Sequence, residues 1–107
     1  MLYRFKSKAG ADVVMLAESG DAVLRLMGRS PAPQGILEVA ALPGLIQALE
    51  AGVAADEAQF KQGVDAAKAA GEAEPRRQGV SLRQRAWPLH ELMQRSLKEN
   101  TDVVWGV

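Results

Sequence analysis

The sequence predicts a two-layer α+β fold, in which a small three-stranded sheet carries helices packed mainly on one of its faces. Three observations lead there. Residues 2–7 and 12–17 read as β-strands, the first with Tyr3 and Phe5 alternating with charged residues, and only a short turn separates them. Between residues 42 and 97 apolar residues recur at helical spacing. The chain then finishes on Val103, Trp105 and Val107, which share one face of a strand spanning 102–107. With 107 residues there is room for a single domain, 1–107, with one core. At 48% hydrophobic and 24% charged, the composition is that of a globular chain and too apolar for a disordered one.

The elements follow in order. Leu2 to Ser7 is the first strand, Lys8 to Ala11 a turn, and Asp12 to Ala17 a second strand paired to the first as a hairpin. Val13, Leu16, Gly20, Leu24 and Met27 also fit a helical period, but the adjacent Val13-Val14 and the breaker Ser19-Gly20-Asp21 favour strand, then helix. Ser19 or Asp21 can cap that helix, about 21–27, and Gly28 stops it ahead of Pro31 and Pro33. Gly35-Ile36-Leu37 leads into the next helix, which either Glu38 caps or Pro43 opens. Leu42, Leu45, Ile46, Leu49 and Val53 form the apolar stripe of a helix over 42–53.

Ala54 to Gly79 reads as a surface helix, about 55–71, followed by a flexible connector that contains Arg76 and Arg77. The apolar face of this helix is thin, and Gly63 in its middle costs about 1 kcal/mol relative to alanine. Ser81 and Gln84 then form a capping box that opens a helix over 82–99, with Leu82, Ala86, Leu89, Met93 and Leu97 on one face. Pro88 lies inside it and predicts a kink.

Composition excludes several chemistries. With no cysteine there is no disulfide, thiolate zinc site, iron–sulfur ligation or cysteine nucleophile. His90 is the one histidine, and His90 and Glu91 diverge by about 100° on a helix, so no metal site is expected. Walker-type, G-x-S-x-G and G-x-G-x-x-G motifs are absent, Ser81 is explained as a cap, and Ser96 is a small residue on a helix flank. The expectation is a protein that is not an enzyme and carries no cofactor. Met1 to Lys6 lacks the roughly 7–15-residue apolar core of a secretory signal, and no apolar run approaches the ~20 residues of a bilayer span, so a cytoplasmic location is expected.

Net charge is zero, which provides no global attraction for nucleic acid or anionic lipid. Within that balance, residues 38–75 are acidic and residues 76–107 basic, so the two regions are expected to screen one another. The constellation most able to bind something is Arg83, Trp87, His90 and Gln94, at i, i+4, i+7 and i+11 along one helical stripe, with Arg85 and Arg76-Arg77 able to approach it. An arginine fork beside an indole suits a carboxylate or phosphate. The competing, structural explanation has Trp87 completing the core, Arg83 and Arg85 pairing with the acidic helix, and His90 half-exposed.

Several of these segments together resemble a known family. They are Leu2-Tyr3-Arg4-Phe5-Lys6-Ser7-Lys8, Asp12-Val13-Val14-Met15-Leu16, Gly35-Ile36-Leu37, Ser81-Leu82-Arg83-Gln84-Arg85-Ala86-Trp87-Pro88-Leu89 and Val103-Val104-Trp105-Gly106. In the same order over nearly the whole chain, they resemble a proteobacterial family of proteins of about this length, classed as a domain of unknown function. The resemblance implies a short bacterial cytoplasmic protein and transfers no activity. Two positions depart from it: Glu38 stands where a Ser or Thr cap is expected, and His90 where the family has an apolar residue.

Two functions are expected from different classes. In the first, the protein is a protein–protein interaction or homo-oligomerising module that uses a sheet edge or bare sheet face, because Val14 and Leu16 as well as Val13 and Met15 are apolar and one helical layer covers only one side. In the second, Arg83, Arg85, Trp87 and His90 bind a small anionic ligand.

Overall fold

The computed structural model describes residues 2–75 and 81–107. The expected connector residues Arg76 and Arg77 lie outside the described residues. Eight elements follow one another: β1 (Leu2–Ser7), β2 (Gly10–Leu16), α1 (Ala17–Leu26), β3 (Gly35–Leu37), a 3-10 turn (Val39–Ala41), α2 (Leu42–Ala70), α3 (Leu82–Lys98) and β4 (Val103–Trp105). The fold is α+β as expected, but the sheet has four strands, in the order β2-β1-β4-β3, and all neighbours are antiparallel.

The extra strand, β3, was expected to be a lead-in to a helix. Gly35, Ile36 and Leu37 are too few to show a strand period, and they become a strand by pairing with Trp105, Val104 and Val103 of β4. Gly35 is needed there because the Trp105 indole lies across it: a β-carbon at 35 would stand 2.3 Å from the ring. The indole is held by its Nε1–H, which donates to the Ala32 carbonyl at 2.9 Å. Asp102 secures the following turn by accepting from the Val39 amide at 2.9 Å.

The last strand is shorter than the expected 102–107. Gly106 takes a left-handed φ of +76° and turns the chain off the sheet, so Val107 is exposed rather than on the face of Val103 and Trp105.

The helices differ from expectation in two ways. First, α1 begins at Ala17 rather than Asp21, with Leu16 at the N-cap position and no side-chain cap. Ser19-Gly20 is not a breaker, because Gly20 is a buried helical residue placed under the Tyr3 ring. Second, the helices expected over 42–53 and 55–71 are one continuous α2, in which Phe60, Val64 and Ala67 prolong the stripe begun by Leu42. Its 29 residues span about 43 Å and set the long axis of a molecule measuring 51 × 27 × 22 Å.

Counted from the 3-10 turn, Val39–Ala70 is long enough to cross a bilayer and reaches a mean hydropathy of 1.2 over its most apolar 18 residues. The sequence expectation found no such run. On the same helix Leu42, Leu45, Ile46, Leu49 and Val53 are buried in the protein core.

All three helices end in the same way. Gly28, Gly71 and Asn100 take positive φ after α1, α2 and α3, and the next amide bonds back to Leu24, Ala67 and Ser96 respectively, closing Schellman motifs. α3 opens on the expected capping box, with Ser81 Oγ accepting from the Gln84 amide and Gln84 Oε1 from the Ser81 amide, and it is continuous through Pro88.

The core lies between the helices and one face of the sheet. The strand registers place Tyr3, Phe5, Met15, Leu37, Val103 and Trp105 on that face, and all are buried. They meet Val23 and Leu24 of α1, the α2 stripe, and Ala86, Leu89, Leu92 and Met93 of α3. Ser96 is buried too, not on an open flank; its hydroxyl donates to the Leu92 carbonyl and meets Ser7 Oγ at 2.7 Å, which ties α3 to β1.

Candidate functional site

Three of the expected site residues come together, and one does not. Arg83, Trp87 and His90 form a continuous stack along α3. The Arg83 guanidinium lies 4.4 Å from the centroid of the Trp87 ring, and the indole stacks on the His90 imidazole at 4.1 Å with only 13° between the planes. Carboxylates from α2 close both ends. Arg83 Nε and Nη2 donate to the two oxygens of Glu57 at 3.0 and 2.8 Å, and His90 Nε2 donates to Glu50 Oε1 at 2.7 Å.

Glu50 and Glu57 are one heptad apart on α2, as Arg83 and His90 are on α3, so the ladder staples two antiparallel helices at matching heights. The hydrogen bonds it donates to Glu57 hold the Arg83 guanidinium protonated, above its ordinary range. Arg85 stands elsewhere. Two residues along a helix from Arg83, it points about 200° away, and among the described residues it has no ion-pair partner.

This geometry has clear chemical consequences. The arginine fork that could clasp a free carboxylate or phosphate already clasps Glu57. His90 is not the half-exposed residue expected, being only 4% exposed. Its Nε2 is committed to Glu50, and its Nδ1 is buried without a hydrogen-bond partner. Among the described residues no three His, Asp or Glu side chains gather as metal ligands would.

A second candidate lies on the sheet. The registers put Leu2, Arg4 and Lys6 of β1, Asp12, Val14 and Leu16 of β2, Val104 of β4 and Ile36 of β3 on the face opposite the core. Leu16 is 68% exposed and Leu2 57%, and Val14 and Ile36 are exposed as well. Arg4 and Asp12 pair across the same face at 3.5 Å.

The two edges differ. β3 is three residues long and follows Pro31 and Pro33, so it offers little to a further strand. β2 is seven residues long, contains no proline and forms the other border of the sheet. In an antiparallel ladder only alternate residues bond to the neighbour, so the remaining amides and carbonyls of β2 point outward. Sequence reasoning found Val14 and Leu16 but not Leu2 or Ile36. The face of Leu2 follows from the hairpin register, whereas Ile36 needed β3 to be recognised.

The structure thus defines a small α+β domain with helices on one side of an antiparallel sheet and an uncovered apolar face on the other. The chain belongs to the family described as a domain of unknown function, DUF1840, whose model matches residues 1–105. The resemblance seen in the sequence segments is borne out to that extent. No curated protein and no solved structure matches the chain.

Proposed function

We propose that this protein is a self-associating, non-catalytic module that binds a second copy of itself through its sheet. The observation that carries this reading is the one-sided packing: every helix lies on the core face, leaving Leu2, Val14, Leu16 and Ile36 exposed on the other, beside an open seven-residue edge. Leu2, Val14 and Leu16 adjoin one another in the hairpin register, and an exposed apolar cluster marks an interaction site more often than a free surface. A net charge of zero puts no long-range repulsion between copies. The absence of cysteine suits a reducing compartment, and with the family resemblance we place the module in a bacterial cytoplasm. The small-anion reading gains no support from an Arg83 fork that Glu57 occupies and an Arg85 on a different side of the helix.

Sedimentation equilibrium over a wide concentration range tests the proposal. It expects a reversible monomer–dimer equilibrium, and a monomer at the highest concentrations attainable overturns it.

A further inference from the structure

We infer that the second copy joins edge to edge along β2, bringing the α3 helices of the two copies side by side and antiparallel across a two-fold axis. This rests on the self-association reading and names the surface that performs it.

The argument begins with what borders the open edge. Ala11, Asp12 and Val13 of β2 form one wall of a groove whose other wall is Pro88, Glu91, Leu92 and Arg95 of α3. At its end Gly10 lies against Leu92 and Arg95; a β-carbon on Gly10 would stand 3.2 Å from the Leu92 side chain. This flank of α3 therefore runs along the edge of the sheet, and any strand added to β2 brings its own covering helix against it.

The flank has a regular pattern. Arg85, Pro88, Leu92, Arg95 and Glu99 are spaced 3, 4, 3 and 4 residues apart, the spacing of a seam between two helices. Glu91 lies beside the seam. Arg85, Glu91, Arg95 and Glu99 alternate in sign along the helix, and the positive Lys98 lies beside Arg95 and Glu99 at its end. None of the four has an ion-pair partner within the chain among the described residues, and all four are exposed.

An alternating pattern of this kind is complementary to its own reversal. When two copies of α3 are set antiparallel about the level of Leu92, whose own side chain is buried in the core, Arg85 of one copy faces Glu99 of the other, and Glu91 falls within a turn of Arg95. Each contact occurs twice, as an isologous interface requires. An antiparallel β2–β2 ladder has a two-fold axis of its own, and the groove places that strand directly beside the middle of the helical seam. One axis therefore serves both contacts, and the two four-stranded sheets become one continuous sheet. A parallel arrangement of the helices would instead set like charges against one another.

The test uses the full-length protein and charge reversal at these exposed positions. Two variants are made, an acidic one with Arg85→Glu and Arg95→Glu and a basic one with Glu91→Arg and Glu99→Arg, and far-UV circular dichroism confirms that each is folded. The expected result is that each variant alone associates at least roughly tenfold more weakly than the wild type, because its own flank now repels itself. Mixed one to one, the two recover dimer at about wild-type affinity. Leu2→Lys, on the bare face but on the inner strand β1 rather than the edge, leaves the wild-type dimer intact.

Undiminished self-association of either variant, or a mixture that stays monomeric, overturns the inference. If the charge variants dimerise like the wild type while Leu2→Lys abolishes association, the copies meet through the bare face: the inference falls and the self-association reading stands. A wild type that is monomeric throughout overturns both.

Discussion

Gly20 of α1 lies flat beneath the ring of Tyr3, so close that a β-carbon at position 20 would stand 2.1 Å from the ring. Helix propensity favours alanine over glycine by about 1 kcal/mol, but here sterics oppose it. Gly20→Ala is expected to destabilise the fold by about 1–3 kcal/mol, the usual cost of overpacking. Gly63 is the counter-case. It lies in the middle of α2, where an added β-carbon meets nothing closer than an ordinary contact with Pro75 at 3.8 Å. Gly63→Ala is expected to stabilise by about 0.5–1 kcal/mol. Urea denaturation of the two variants should show shifts of opposite sign.

Tyr3 also supplies a pH dependence. Its hydroxyl donates to Asp21, and burial followed by that carboxylate pushes its pKa above the ordinary tyrosine value. The folded state therefore holds this proton more tightly than the unfolded chain does. The resulting stability is fully present below about pH 10 and is lost as pH rises from there through the folded-state value. Tyr3→Phe is expected to cost about 1–2 kcal/mol near neutrality, for a hydrogen bond to a charged acceptor, and to flatten this alkaline decline. Melting temperatures from pH 7 to 11.5 would show it. A variant whose alkaline loss equals that of the wild type would refute the assignment.

His90 leads to an unequal pair of outcomes. Glu50→Ala leaves both ring nitrogens of a buried imidazole unpartnered and should cost about 1–3 kcal/mol. His90→Leu removes the orphaned Nδ1 together with the group that needs Glu50, and should be close to neutral or stabilising. An apolar residue is also what the family resemblance leads one to expect at this position. Thermal denaturation separates the two, and a His90→Leu variant that falls as far as Glu50→Ala would mean that the stack on Trp87 matters more than the burial of an unpaired nitrogen.

Ser81→Ala removes the acceptor for the Gln84 amide at the start of α3. The expected loss is about 1 kcal/mol. Gln84→Ala should cost less, because the higher helix propensity of alanine offsets part of the lost hydrogen bond to the Ser81 amide. Chemical denaturation of both variants checks the order.

What the sequence disclosed follows the strength of local signals. The capping box, the hairpin, the α2 and α3 stripes and the pairing of a C-terminal strand with the hairpin were legible, since each is written in residues close together in the chain. β3 was not, because three residues have no period and Gly35 looks like a turn until Trp105 is seen lying across it. The start of α1 was misplaced for a related reason, as Gly20 serves a tertiary contact where a local reading finds only a helix breaker. The Arg83–Trp87–His90 stripe was visible from spacing alone. Glu57 and Glu50, which close it, were hidden, because nothing in the sequence aligns residue 50 with 90 or residue 57 with 83. Arg85 was grouped with the stripe by proximity in sequence, although two steps along a helix carry a side chain to another side.

The strand order has a consequence for how the protein is made. β4 is inserted between β1 and β3, so two of the three ladders depend on residues 103–105. A nascent chain leaving the ribosome can close its hairpin early, pairing Phe5 with Val13, but the other side of Phe5 must wait for Trp105, and Leu37 for Val103, to be synthesised. Until then the polypeptide carries an unfinished sheet with unpaired strands on both sides of a vacancy. That interval, before translation reaches Trp105, is when it depends most on being shielded from other chains.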